Sequence, residues 1–431
     1  MSRKIVFIGG GSAKFVREVV IDIFSYEELR DMTITLMDID QKRVKLSEQL
    51  VKKIIRDRKL SARVESTLNQ KKALEAADYV IITIMVGGYD FYKMDVAIPA
   101  QYGVFQSISD TTGPGGIMRI IRTSPVLQQI VKDLKEVAPD AWILNHANPM
   151  SMNTWTLLQS GHKRTIGLCH SIQGSYRGIA GWLNLPPEEI QYSAGGINHI
   201  NFYLTLEHNG RNIYPELLAN APRIIKKHPA ERVRFELLEY LGYFPAEGPC
   251  HQAEYYPWFI KNKKMVNYYG AETFHGYHND LKNFNNKFTE IKEQLAGRTP
   301  ISYERSQEFT ARIIHSLKTG QTRRFYGNVI NERLIENLPP QAIVEVPCFA
   351  GKNGIAPHRV GTIPQQLAAV MTPHIHLHEM AVKGVLQKER ALIRQAIQSD
   401  PLTGAILTLP KIKEMTDELL EANKDYIKDW N

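Results

Sequence analysis

Cysteine is scarce in this chain: three in 431 residues, Cys169, Cys250 and Cys348, an odd number spread widely. That excludes a disulfide framework and points to a reducing compartment. Long hydrophobic runs are missing too, since no window reaches the roughly 18 apolar residues of a membrane span. The start, Met1-Ser2-Arg3-Lys4 followed by Ile5-Val6-Phe7-Ile8 and then glycines, is too short for a signal segment and already reads as a strand. A soluble, cytoplasmic protein with no membrane partner is expected. Neither sign of charge is concentrated: 53 basic and 45 acidic residues mix along the chain, giving net +8 with no basic tail and no basic patch interleaved with aromatics. A nucleic-acid partner is therefore not expected, and the surplus reads as solvated surface that helps attract an anionic cofactor. Internal repeats, low-complexity tracts and long linkers are absent as well.

What is present is 43% hydrophobic residues over 431 positions, enough for a large core and, by length, two domains or at most three. Ile5 to Ile8 meets Gly9-Gly10-Gly11-Ser12, after which Phe15, Val19, Val20 and Ile23 recur at helical spacing. Strand, glycine turn and helix form the context of a dinucleotide site, with Gly9 and Gly11 permitting a tight turn and the N–H groups near Ser12 facing a pyrophosphate. Lys14 stands where the third glycine of the fingerprint would be. Thr33 to Met37 reads as a second strand ending in Asp38, an acid placed for the adenosine ribose hydroxyls, which favours NAD over NADP. A strand-end cap is the plainer role for the same residue.

Alternation continues. A helix from Lys42 to Arg58, a short strand near Val64, the buried run Asp78 to Thr83, and the strand Ala141 to Leu144 follow in turn. Between the last two lies Asp110-Thr111-Thr112-Gly113-Pro114-Gly115-Gly116, a glycine loop that reads equally as a lid or as a connector. Asn145-His146-Ala147-Asn148-Pro149 closes the fifth strand, and Asn148 has the donor and acceptor needed to grip hydroxyls. Thr165 to Leu168 then delivers Cys169. About 170 residues of β/α alternation predict a doubly wound parallel sheet, the fold class of residues 1–185. Beyond residue 185 the grammar changes to hairpins, Ile190 to Gly196 with Asn201 to Glu207 and an Asn209-Gly210 turn, mixed with helices over Phe309 to Leu317, Met380 to Ile397 and Ile412 to Ala422. Residues 186–431 are assigned to a second, α+β domain that forms one rigid body with the first.

Cys169 can be a core cysteine, a nucleophile or a metal ligand. No recognisable base and oxyanion hole accompany it, whereas His199, thirty residues on at a strand break, offers a partner ligand for a divalent transition ion. His374, His376 and His378 alternate in a helical context and read as surface residues; His275 and His278 read as loop residues. Cys250-His251 repeats the Cys-His pair ahead of Glu254-Tyr255-Tyr256-Pro257-Trp258, an aromatic cluster that suits core packing as well as a site.

Taken together, the Gly9 turn, Asp110-Thr-Thr-Gly-Pro-Gly-Gly, Asn148-Pro-Met, Cys169-His-Ser-Ile, Gly196-Ile-Asn-His, Glu254-Tyr-Tyr-Pro-Trp-Phe and Tyr326-Gly-Asn-Val resemble glycoside hydrolase family 4, over nearly the full chain and in order. The Cys-His-Ser-aliphatic-Gln stretch is similar to the α-galactosidase branch. The resemblance implies a lactate/malate dehydrogenase-like fold and two cofactors, NAD and Mn²⁺ or another divalent transition metal. It implies Cys169 and His199 as metal ligands, Asn148 and Asp110 as substrate contacts, and Tyr255 as the base, with Tyr256 adjoining it as an alternative. His170 stands where some members carry the proposed acid, here without a carboxyl group.

The implied reaction departs from the two-carboxylate scheme, to which this family is a known exception. It runs by oxidation at sugar carbon 3, loss of the carbon 2 proton with elimination of the glycosidic oxygen, water addition and re-reduction. A small sugar is the implied partner, and a homodimer or homotetramer the implied assembly. The alternatives are another branch of the family (α-galacturonidase, α-glucosidase or 6-phospho-glycosidase) and an NAD-dependent hydroxy-acid dehydrogenase.

Overall fold

A computed structural model describes residues 3–306 and 308–431, so Met1 and Ser2, the head of the opening stretch read as too short for a signal segment, lie outside the described residues. Six parallel strands form its first part: β1 Lys4–Ile8, β2 Thr33–Met37, β3 Arg63–Thr67, β4 Tyr79–Ile82, β5 Trp142–Asn145 and β6 Thr165–Gly167. Their order is β3-β2-β1-β4-β5-β6, the doubly wound arrangement expected from the alternation. The central strands β1, β4 and β5 are short and largely apolar because both faces are covered, whereas the edge strand β3 is polar and exposed. In β1, Ile5 and Phe7 join the larger core while Val6 and Ile8 join the smaller one behind the sheet.

The sheet does not stop there. β7 Ile190–Ile197, β8 Ile200–His208 and β9 Arg211–Asn212 make an antiparallel meander, and β10 Arg323–Ile330, β11 Ile343–Gly351 and β12 Gly354–Pro357 make another. β10 lies antiparallel to β6 and β11 antiparallel to β7, so one continuous sheet crosses residue 185. Along one row, Gly167 faces Asn328, Asn328 faces Glu345, and Glu345 faces Gly196. The strands that deliver Cys169 and His199 are thereby held with β10 and β11 between them.

Three expectations change. His374 and His378 are buried in the helix Gln365–Gln387, and only His376 of the three faces solvent. The helical period puts residues 374 and 378 on one face, where His374 meets the Thr112 hydroxyl and the Tyr255 carbonyl oxygen. His275 and His278 stand in the first turn of the helix His275–Leu295 rather than lying in a loop. The run read as Met380 to Ile397 is broken at Lys388, φ 60°, into two helices that turn back on each other.

Candidate active site

The glycine turn is built by backbone. Gly9 takes φ 93°, a left-handed conformation open to glycine, and a Cβ there would meet the Thr83 carbonyl oxygen at 2.4 Å. A Cβ on Gly11 would meet Asp38 Oδ2 at 2.6 Å, because the Gly11 N–H donates to that oxygen at 2.7 Å. Asp38 also accepts from the Asp40 N–H at 3.0 Å, so it caps the strand end while lying beside the turn. Ser12 precedes the helix Ala13–Phe24 without a side-chain cap bond, leaving its hydroxyl uncommitted to the helix end. In that first turn Ala13 and Val16 are buried, whereas Lys14 points outward and pairs with Glu18 at 3.3 Å.

The second part of the site is assembled from five separate segments at the carboxyl ends of β5 and β6 and the ends of β7 and β8. His199 occupies the two-residue turn between Ile197 and Ile200 with φ 67°, a conformation uncommon for a residue with a Cβ. Its Nδ1 is 2.8 Å from Thr111 Oγ1 and 3.1 Å from the Tyr255 hydroxyl. Its Nε2 points the other way, to Glu247 Oε2 at 3.3 Å. Donor atoms of Cys169, His199 and Glu247 all lie within 4.8 Å of one another, and so do those of Asp110, His199 and His251. A thiol, an imidazole and a carboxylate at such separations fit a divalent transition ion.

Asp110 links the halves of this cluster. It accepts from Asn148 Nδ2 at 2.7 Å and from the Thr111 hydroxyl at 2.8 Å, and it faces His251 Nε2 at 3.4 Å. The glycine loop that carries it is neither lid nor simple connector, since Thr111 and Thr112 are buried and the preceding backbone is clamped. N–H groups of Ser107, Ile108 and Ser109 donate to the Glu254 carboxylate at 2.8, 2.9 and 3.1 Å. The residue next to Glu254 is Tyr255, so this clamp ties the Asp110 loop to the tyrosine. His374 adds a second tie, its Nε2 lying 2.7 Å from the Tyr255 carbonyl oxygen and its Nδ1 3.1 Å from Thr112 Oγ1.

Burial sets the protonation pattern. Burial lowers His199 to about 4, which leaves a neutral imidazole with a lone pair to give. Burial alone would lower His251, but the Glu247 and Asp110 carboxylates outweigh it and hold the imidazolium well above its ordinary range. Burial likewise opposes ionisation of Glu247 and Asp110, and the histidines beside them overcome it, so both stay ionised. The Cys169 thiol and the Tyr255 phenol are pushed up, by burial first and then by nearby carboxylates. Each needs a cation to lose its proton at neutral pH. Burial raises Glu254 to about 7 and Glu345, on β11, to about 8.

The remaining residues divide. Tyr256 is buried, with its hydroxyl donating to Gln252 Oε1 at 3.1 Å and no polar contact to the cluster. His170 stands at the rim, its side chain 74% exposed and its Nδ1 4.0 Å from Glu308 Oε1. The same Glu308 is 3.9 Å from His146 Nδ1, and the His146 ring is 4.9 Å from that of Phe15 in the helix after the glycine turn, so the turn and the cluster share one crevice. Glu247 was missed by sequence reasoning, and His251 was left undecided. His251 and Tyr255 stand four residues apart on the helix Pro249–Tyr255, a one-face spacing that would have paired them, whereas Glu247 precedes the helix and its extended N-cap Gly248.

A dinucleotide-fold enzyme with a thiol–imidazole–carboxylate centre at its crevice is the class these features define. The chain belongs to family 4 of the glycosyl hydrolases: residues 4–185 match "Family 4 glycosyl hydrolase" and residues 194–403 match "Family 4 glycosyl hydrolase C-terminal domain". It is 37% identical to an alpha-galactosidase of Bacillus subtilis (strain 168), over 99% of this chain and 100% of that protein. It is 34% identical to an alpha-galactosidase of Rhizobium meliloti (strain 1021), over 100% of this chain and 90% of that one. Its fold is similar to that of a 6-phospho-alpha-glucosidase from gut microorganisms solved with NAD and Mn²⁺, with TM-score 0.84, 19% identity and full coverage of both chains. The family resemblance and the fold class read from the motifs are thus borne out. Among the described residues no helix is long and apolar enough to cross a membrane.

Proposed function

We propose that the protein is an α-galactosidase that uses NAD and a divalent metal, Mn²⁺ foremost, to hydrolyse α-galactosides such as melibiose. The observation that carries this is the convergence of Cys169, His199 and Asp110 with the Tyr255 hydroxyl in one crevice with the Gly9 turn. Two full-length relatives with that activity support the substrate. When bound, NAD supplies a reversible hydride acceptor for sugar carbon 3, and the metal supplies a Lewis acid for the oxygens there.

The chain's own residues do the rest. Gly9, Gly11 and Ser12 receive the pyrophosphate, and Asp38 the adenosine ribose. Cys169 and His199 hold the ion. Asn148 and Asp110, already bonded to each other, present a donor and an acceptor to sugar hydroxyls. Tyr255 is placed to remove the proton on carbon 2, and an ion held by Cys169 and His199 would lower its raised phenol pKa. His170, at the solvent rim, faces the departing oxygen. A cytoplasmic homodimer or homotetramer acting on a free sugar completes the reading.

The test is a substrate panel with purified protein, NAD, Mn²⁺ and reductant. Cleavage of nitrophenyl α-galactoside and melibiose that chelator abolishes is expected. Inertness toward both, with cleavage of a phosphorylated or uronic glycoside, sinks the galactosidase assignment. Stoichiometric accumulation of NADH at 340 nm would instead mark a dehydrogenase.

A further inference from the structure

Two protein ligands leave a divalent ion loosely held, and the crevice contains a third donor. We propose that Glu247 is a direct, monodentate ligand of the metal and that His251 is the residue that aims it, an inference that rests on the metal-dependent reading above.

The argument begins at His199. With Nδ1 engaged by Thr111 and Tyr255, only Nε2 is left for a ligand, and the atom it faces is Glu247 Oε2 at 3.3 Å. That separation is long for a charge-assisted N–H···O⁻ bond, which closes to about 2.7–2.9 Å. It is the spacing of two donors sharing one cation, since bonds of about 2.1 Å at tetrahedral or octahedral angles put donor atoms roughly 3.0–3.4 Å apart. The Cys169 sulfur completes a set within 4.8 Å.

The other carboxylate oxygen is already spent. Glu247 Oε1 accepts the Gly248 N–H at 2.6 Å and faces His251 Nδ1 at 3.5 Å, which fixes the plane of the group and leaves Oε2 turned to the centre. His251 Nε2 faces Asp110 Oδ1 at 3.4 Å on its other side, so the ring lies between two carboxylates. This is the pattern of a ligand oriented by an outer partner. Charge agrees: thiolate, carboxylate and neutral imidazole balance a divalent ion, and the open positions remain for sugar oxygens.

The experiment measures Mn²⁺ binding by the electron paramagnetic resonance signal of the free ion, on the full chain with NAD present and no substrate. Wild type binds one Mn²⁺. Glu247→Gln raises its Kd by more than about 100-fold, beyond the roughly 10–100-fold range of an outer partner, and His251→Gln stays within that range. Glu247→Asp, which keeps the charge, falls between wild type and Glu247→Gln and guards against a folding defect. In the cobalt-substituted protein the thiolate charge-transfer band persists in Glu247→Gln while the visible ligand-field bands move. If Glu247→Gln binds Mn²⁺ like wild type, or no worse than His251→Gln, while Cys169→Ser loses the ion, the inference is overturned and the metal-dependent reading stands. If wild type itself binds no Mn²⁺, that reading falls and the inference with it.

Discussion

The two halves of the crevice are made in different ways. The Gly9 turn is local, its geometry fixed by φ, by the absence of Cβ atoms in the three consecutive residues Gly9 to Gly11, and by one acid at the end of the neighbouring strand. The metal-type cluster is assembled from residues as far apart as Asp110 and Tyr255, brought together by a sheet that runs on from the parallel strands into antiparallel ones. A local site tolerates change elsewhere and fails when its own backbone is crowded. An assembled site depends on the clamps between its segments.

Four perturbations test that contrast, beginning with the largest. Cys169→Ser removes a thiolate donor and lowers turnover of nitrophenyl α-galactoside by about 10⁴-fold, the scale of several kcal/mol of Lewis-acid stabilisation. NAD affinity, read by fluorescence titration, stays at the wild-type value, because the turn owes nothing to the thiol. Tyr255→Phe follows with a loss of about 10³-fold in kcat and little change in KM, as expected for a lost general base. A comparable rise in KM would show the hydroxyl to be a binding group instead.

Gly11→Ala is the reverse experiment. Its Cβ would crowd Asp38 Oδ2 at 2.6 Å, so the turn must open, and NAD binding weakens roughly tenfold, about one hydrogen bond's worth. Mn²⁺ binding is unchanged in this variant; a coupled loss would erase the distinction between the halves.

The last perturbation concerns the Glu254 clamp and is read in stability rather than in binding or turnover. Its folded pKa of about 7 lies above the ordinary 4.5, so the protonated form is favoured by folding. The stability this confers is full below pH about 4.5 and is lost as pH rises through about 7, a change of about 3 kcal/mol. Urea unfolding of wild type and Glu254→Gln across pH 4–8 checks the sign: wild type loses stability relative to the variant as pH rises through that window.

Much of the local half was legible in the sequence. The order of strand, glycine turn, helix and acid-ended strand is written in consecutive residues, and so were most element types through residue 185. Cys169 and His199 stood out because each closes a strand with a metal-capable side chain. Glu247 did not, because it lies before the helix Pro249–Tyr255 and its partners are chosen by β7, β8 and β11, whose pairing no local pattern announces. His374 was misplaced for the same reason: a polar residue on a helix reads as exposed unless the groups that satisfy it, Thr112 and the Tyr255 carbonyl, are known to be there.

The central claim is that the glycosidic bond breaks after a proton leaves carbon 2 of the sugar, and one product analysis addresses it. Melibiose hydrolysed to low conversion in D₂O, with NAD and Mn²⁺ present, releases galactose whose hydrogens can be assigned by NMR. Deuterium at carbon 2 is the predicted result. Galactose released at full rate with only its original hydrogen at carbon 2 would contradict the account.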